Sequence, residues 1–167
     1  MAVEIERVYL LRQMPPQMPE GQRWMIEQGY LPPDPTQAIA EGRLRRTTLP
    51  DGTVRHVHTV KQGVGLVRQE HERTITQQEF NAAWPRTLGC RLRKERTRVP
   101  HDGLVWEVDQ FLDLPLVLAE CELPTEHTVL TLPPWLAPWV EREVTHEPAF
   151  RNYHLARQAG LGGGEAG

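Results

Sequence analysis

Polar and apolar residues alternate along seven segments of the chain, which is the two-residue period of strands that bury one face. The opening segment shows the pattern clearly, because Glu4 and Glu6 fall on one face while Ile5 and Tyr9 fall on the other. The predicted strands cover residues 3–11, 42–49, 53–61, 65–75, 90–99, 104–112 and 116–123.

Two short turn sequences join neighbouring predicted strands. Pro50-Asp51-Gly52 follows the second strand, and His101-Asp102-Gly103 separates the fifth from the sixth. Both place glycine where a tight hairpin turn requires a positive φ. These turns predict antiparallel pairing of the strands on either side.

Three segments are predicted to contain helices. Residues 76–87 begin with Thr76 as a cap and Glu79 at the third helical position. Residues 133–144 contain a short helix, and residues 17–29 contain another that ends at a glycine. Strands joined by short turns, with few helices, indicate an antiparallel barrel or sandwich with helices added.

Length and composition fit one globular domain with a flexible end. The chain has 167 residues, 25% of them charged and 39% hydrophobic, with a net charge of −3. This charge argues against nucleic-acid binding, and there is no run of about 18 apolar residues that would span a membrane. Two widely separated cysteines and the lack of a signal peptide predict a reduced, cytoplasmic protein. We predict a domain over 1–157 and a flexible glycine-rich tail over 158–167.

Charged residues on the predicted strands are sorted by sign. One face of a single strand carries only acids or only bases in five cases: Glu4 with Glu6, Arg43 with Arg45, Lys94 with Arg96, Glu107 with Asp109, and Glu120 with Glu122. Each face could be a solvated outer surface. Like charges about 7 Å apart nevertheless repel each other unless an opposite charge lies between them. If these faces turn inward, the acidic strands would gather a divalent metal and the basic strands would gather phosphate.

The order and spacing of these motifs resemble the CYTH-domain proteins, the triphosphate tunnel metalloenzymes. The resemblance runs from about residue 2 to residue 157. Its motifs are Glu4-Ile5-Glu6, Gln28-Gly29-Tyr30-Leu31, Arg43-Leu44-Arg45, Lys61, Arg68-Gln69-Glu70-His71-Glu72, Lys94-Glu95-Arg96, Trp106 to Phe111 and Ala119-Glu120-Cys121-Glu122-Leu123.

The resemblance implies an α+β fold in which a closed antiparallel eight-stranded β-barrel forms a charged tunnel, with helices packed outside. It also implies metal-dependent hydrolysis of inorganic triphosphate, or of a related organic triphosphate, with Mg²⁺ or Mn²⁺. The implied partner is this triphosphate-containing small molecule, and a homodimer is implied because family members often pair.

The resemblance assigns roles to particular side chains. Phosphate binding falls to basic residues, since arginine makes bidentate contacts and lysine supplies a compact charge; these are Arg43, Arg45, Lys61, Arg68, Lys94 and Arg96. The metal candidates are Glu4, Glu6, Asp109, Glu120 and Glu122, because Mg²⁺ and Mn²⁺ prefer oxygen ligands. Asp109, Glu70 and Glu72 could bind a second metal, position the attacking water or hold the basic side chains. The catalytic candidates are Glu4, Glu6, Lys61, Glu70 and Glu72.

Val8 departs from the family pattern. It stands where the family's opening motif carries a lysine beside the two glutamates, and valine offers neither charge nor a hydrogen bond. A catalytically weak module that binds triphosphate, polyphosphate or a nucleotide is therefore one alternative to hydrolysis. An adenylate cyclase is another alternative, which the family resemblance allows. Absence of turnover would indicate the binding module, and a cyclic product from ATP would indicate the cyclase.

Overall fold

The computed structural model describes residues 2–63 and 66–162, and the chain within them forms nine strands and two α-helices. The strands are β1 (Ala2–Leu11), β2 (Gln22–Leu31), β3 (Gly42–Thr48), β4 (Val54–Gln62), β5 (Val67–Thr74), β6 (Arg91–His101), β7 (Leu104–Phe111), β8 (Val117–Glu122) and β9 (Val140–Glu143). The helices are α1 (Gln77–Ala83) and α2 (Asn152–Gly162), and short 3-10 turns span Trp84–Thr87, Ala137–Trp139 and Pro148–Phe150.

Eight strands close into an antiparallel barrel. Their order is β5-β4-β3-β2-β6-β7-β8-β1, and β1 closes the ring because its first residues pair with β5 while its later residues pair with β8. The ninth strand, β9, pairs with the end of β1 on the edge that β5 leaves free. The predicted closed eight-stranded barrel is therefore confirmed.

Two apolar clusters lie against the outer face of the barrel rather than inside it. Trp106 and Cys121 are fully buried beneath the segment that contains Leu136. Leu44 is buried beneath Phe80 of α1. Because the apolar side of these strands faces outward onto covering segments, their opposite side is left for charged residues.

One predicted helix is wrong. Residues 17–29 were expected to contain a helix that ends at a glycine, but β2 begins within that segment. This strand hydrogen-bonds to β3 on one edge and to β6 on the other, which a helix could not do. Gly29 is required for close packing instead, since a Cβ atom there would lie 2.6 Å from the side chain of Thr87.

Other local predictions agree with the structure. Thr76 caps α1 by accepting a hydrogen bond of 3.0 Å from the backbone N–H of Glu79. Asp102 and Gly103 have φ values of 50° and 75° in the β6–β7 turn, and Gly52 has 86° in the β3–β4 turn. These left-handed conformations are the reason for Asp-Gly sequences in tight hairpins.

The C-terminal segment is helical where the structure describes it. Helix α2 covers Asn152–Gly162, which includes the first residues of the predicted tail, and 163–167 lie outside the described residues. Leu155 and Ala156 are buried against Leu92 and Phe111 of the barrel. No helix within the described residues is long and apolar enough to cross a membrane.

Candidate active site

The thirteen predicted site residues lie at alternate strand positions whose side chains meet inside the barrel. Contacts that skip a neighbouring strand show this inward direction, such as Lys61 on β4 with Glu4 on β1, and Arg96 on β6 with Glu120 on β8. Glu72 and Glu122 are the exposed members of the set. The sign-sorted faces therefore turn inward, and the solvated-surface alternative does not hold for them.

Lys94, Arg96 and Asp109 form a buried ionic cluster. Asp109 lies 2.7 Å from Lys94 Nζ and accepts hydrogen bonds of 2.7 and 2.9 Å from Arg96 Nε and Nη2. Burial opposes the charge of Asp109, but Arg96 and Lys94 hold its pKa well below the usual range. Burial lowers the pKa of Lys94 to about 8 in spite of the nearby carboxylate. The predicted metal candidate Asp109 thus contacts two cations, and not the glutamates of β1 and β8.

Arg43 and Arg45 make fewer close contacts with carboxylates than Lys94 and Arg96 do. Arg45 Nε donates a 3.0 Å hydrogen bond to Gln28 Oε1, and no carboxylate of the described residues pairs with this arginine. Burial, Arg43 and Arg96 lower the pKa of Arg45 to about 9. Arg43 donates to Thr59 Oγ1 at 3.1 Å and lies 3.9 Å from Glu72. An anion would stabilise this pair of neighbouring guanidinium groups.

Glu4, Lys61 and Glu70 interact on the acidic side of the barrel. Lys61 Nζ lies 2.9 Å from Glu4 Oε2 and 3.9 Å from Glu70 Oε2. Burial raises the pKa of Glu4, but Lys61 and a hydrogen bond with Glu70 lower it to about 2. Burial and the contact with Glu4 raise the pKa of Glu70 to about 7. Lys61 and Glu70 therefore both favour the charged form of Glu4.

Glu6 shares this acidic side with Glu120 and Glu122. Burial, followed by the charges of Glu120 and Glu4, raises the pKa of Glu6 to about 8, against the opposing effect of Lys61 and Arg68. Arg68 Nη2 donates to Glu6 Oε1 at 2.5 Å. Burial and the charge of Glu4 also raise the pKa of Glu122. Several carboxylates therefore crowd one another.

These carboxylates fit a hard divalent cation by their chemistry. Their donors are all oxygen, and their mutual repulsion would be relieved by a cation. Glu4 Oε2 is enclosed and accepts no hydrogen bond of good geometry from the described residues, despite its closeness to Lys61. Within those residues, no three His, Cys, Asp or Glu side chains already stand in a metal-binding arrangement. The donor set fits a metal, and binding would require these side chains to move.

A cavity of about 760 Å³ joins the barrel interior to the C-terminal segment. Its wall includes the inward residues Glu6, Val8, Arg43, Lys61, Arg68 and Glu120, together with Thr145, Arg151 and Asn152 from the C-terminal segment. Asn152 Oδ1 accepts a 3.1 Å hydrogen bond from Lys94 Nζ. Sequence reasoning assigned no role to Gln28, Thr59 or Asn152, because uncharged polar residues carry no sign pattern.

Comparisons with known proteins agree with this architecture. An inorganic triphosphatase from Nitrosomonas europaea is 37% identical over 160 residues, which cover 92% of this chain and 96% of that protein. An inorganic triphosphatase from Acetivibrio thermocellus is 40% identical over 68 residues, which cover 40% of this chain and 41% of that protein. A crystal structure of an inorganic triphosphatase matches with a TM-score of 0.62 at 33% identity, covering 94% of this chain and 96% of the other. No family model matches the chain.

A closed antiparallel barrel whose interior carries opposed acidic and basic faces defines a triphosphate tunnel. The N. europaea relative covers nearly the whole chain at an identity that establishes common family membership. The chain belongs to the triphosphate tunnel metalloenzyme family, that is, to the CYTH-domain proteins. The family predicted from the motifs is thereby confirmed.

Proposed function

We propose that this protein hydrolyses inorganic triphosphate in its tunnel, with Mg²⁺ or Mn²⁺. The observation that carries the proposal is the buried set of basic side chains that lack full acidic compensation, above all Arg43 and Arg45. Arg43 lines the same cavity as the carboxylates of Glu6 and Glu120, which suits a polyanion that arrives with a divalent metal. The relationship to inorganic triphosphatases supports the same conclusion.

The basic residues bind and orient the phosphates. Arg43 has an enclosed Nε without an acceptor among the described residues, and Arg45 has only the Gln28 amide. Both therefore retain donors for phosphate oxygens. Lys94 and Arg96 are held in place by Asp109, so we assign Asp109 to positioning these cations rather than to metal binding. Positioning and charge neutralisation are the main requirements of phosphoryl transfer.

Glu4, Glu6, Glu120 and Glu122 would hold the metal. When bound, Mg²⁺ or Mn²⁺ supplies positive charge to the phosphate oxygens and lowers the pKa of a coordinated water. Glu6 of β1 faces Glu122 of β8 directly, since the two residues are register partners. Glu6 must lose its proton to serve as a ligand, so its raised pKa links metal binding to pH.

Glu70, Glu72 and Lys61 complete the proposed site. Glu70 lies 3.9 Å from Lys61, and Glu72 lies 3.9 Å from Arg43, so these acids orient basic side chains toward the cavity. Their predicted part in placing the attacking water stays a prediction. Val8 offers no group that accepts or donates a proton, and reaction in this tunnel would depend on the remaining residues.

The proposal is tested by phosphate release from inorganic triphosphate with Mg²⁺ or Mn²⁺, beside ATP, in the wild type and in Arg45→Gln. We expect wild-type turnover of triphosphate and a KM about 10- to 100-fold higher in the variant, because a charge-assisted contact is lost. Arg73→Gln is the matched control, since Arg73 is exposed on β5 and, among the residues that the structure describes, pairs only with Glu79. Tight binding without release would favour the second candidate, a binding module, which the uncharged Val8 keeps in consideration.

A further inference from the structure

Arg151 brings a guanidinium group from the C-terminal segment to the wall of the tunnel cavity. The residue follows the 3-10 turn Pro148–Phe150 and stands just before α2. Its backbone N–H donates to the carbonyl of Pro148 at 3.1 Å, and its own carbonyl accepts from Leu155 at 3.0 Å. The next residue, Asn152, bonds to the buried Lys94. The backbone of Arg151 is therefore fixed beside the site.

The side chain of Arg151 lacks a partner within the described residues. Its Nη2 is enclosed and makes no hydrogen bond, and no carboxylate there lies within ion-pair distance of it. Enclosing a charged N–H donor removes its hydrogen bonds to water. This costs free energy unless an acceptor in the protein or a ligand replaces them. Structural arginines of this chain show the contrast, since Arg142 pairs with Glu147 at 2.9 Å.

Arg68 is a second cation at the same place. Arg68 and Arg151 line the same cavity, and burial, followed by the charge of Arg68, lowers the pKa of Arg151. Arg68 also has an enclosed Nε without an acceptor among the described residues, although its Nη2 bonds to Glu6. Two neighbouring cations with free donors are stabilised by an anion placed between them.

The uncharged side chain of Val8 makes the guanidinium group of Arg151 important for the charge of this site. Val8 lines the same cavity as Arg68 and Arg151 and carries no charge. Its backbone N–H donates to Thr145 Oγ1 at 3.0 Å, and the backbone N–H of Val144 donates to its carbonyl at 2.8 Å. The C-terminal segment therefore packs directly on β1 at the position where β1 presents no basic side chain.

We propose that Arg151, together with Arg68, binds a phosphate group of the triphosphate and so completes the basic wall of the tunnel from the C-terminal segment. This inference rests on the proposed function, because the anion is its substrate. It adds to the site a residue outside the barrel strands. The sign pattern along those strands did not reveal it.

The test compares Arg151→Gln and Arg151→Lys with the wild type and with the exposed control Arg73→Gln. Steady-state phosphate release from inorganic triphosphate with Mg²⁺ gives kcat and KM, titration calorimetry gives the triphosphate Kd, and thermal unfolding checks the fold. We expect Arg151→Gln to raise KM and Kd about 10- to 100-fold with a smaller change in kcat. Arg151→Lys should recover part of the affinity, and Arg73→Gln should match the wild type.

Each other outcome counts against the inference in a distinct way. Wild-type turnover together with an Arg151→Gln affinity within twofold of normal would remove Arg151 from the site and leave the proposed function intact. A loss of affinity that is matched by a fall in the unfolding midpoint, and that Arg151→Lys does not recover, would show a purely structural role. Neither binding nor turnover in the wild type would overturn the proposed function itself.

Discussion

Replacing Asp109 by asparagine removes the only carboxylate that touches both Lys94 and Arg96 within the described residues. Lys94 is 0% exposed and the side chain of Arg96 is 6% exposed, so neither cation can recover water without disturbing the barrel. Removing one partner of a buried ion pair costs about 3–5 kcal/mol. The lowered pKa of Lys94, about 8, lets this group lose its proton at moderate cost. We therefore expect the low end of the range, about 3 kcal/mol.

The assay is thermal and urea unfolding of Asp109→Asn beside wild type, both without added metal. A loss of this size corresponds to a fall of about 6–12 °C in Tm for a chain of this length. Asp113→Asn is the matched control, because Asp113 also pairs with an arginine of β6, Arg93, but at an exposed position. That change should cost less than about 1 kcal/mol.

A small loss of stability would contradict a structural role for Asp109. If Asp109→Asn lost no more stability than Asp113→Asn, Asp109 would not be the group that holds Lys94 and Arg96 in place. Unchanged stability together with a loss of metal affinity would instead return Asp109 to the set of metal ligands. The two roles are therefore separated by measuring unfolding and Mg²⁺ binding on the same variant.

The remaining predictions concern the effect of pH on the acidic side chains and the substitution of Val8. The pKa of Glu6 is raised to about 8, so the folded protein favours the protonated carboxyl. Its contribution to the stability of the metal-free protein is present below about pH 4.5 and lost as pH rises through 8. Glu6→Gln should therefore raise the metal-free unfolding midpoint more at pH 8 than at pH 5. For the same reason Mg²⁺ binding should release protons and weaken as pH falls from 8 to 6, measured by calorimetry in buffers of different ionisation enthalpy, and a pH-independent affinity would contradict this. Val8→Lys adds a cation opposite Glu120 and two residues from Glu6, so it should relieve the repulsion between these carboxylates and raise the metal-free unfolding midpoint at pH 8; an unchanged or lower midpoint would count against carboxylate crowding.

Local alternation predicted seven of the strands, whereas the closed barrel with a charged interior was predicted from the resemblance to the family. Glu4 with Glu6 and Arg43 with Arg45 follow the two-residue period, so their common face could be read directly from the chain. The β2 strand was mistaken for a helix because its stability comes from pairing with β3 and β6, which are distant in sequence. Local patterns carry no information on such partners.

The contacts of individual site residues were harder to predict. The sequence left Asp109 between binding a metal, positioning the water and holding basic side chains, and its contacts in the barrel are with Lys94 and Arg96. Arg151 and Asn152 reach the tunnel only because the C-terminal segment returns to β1 and β6 across more than 50 residues. Such placements follow from tertiary packing and leave no periodic signal in the sequence.

The central claim is tested most directly by following inorganic triphosphate with the wild-type protein by phosphorus NMR, with Mg²⁺ and with excess EDTA. We expect conversion to pyrophosphate and phosphate in the presence of Mg²⁺, and no conversion after chelation. Unchanged triphosphate under both conditions, at protein concentrations that saturate binding, would contradict the hydrolase assignment and leave a binding tunnel.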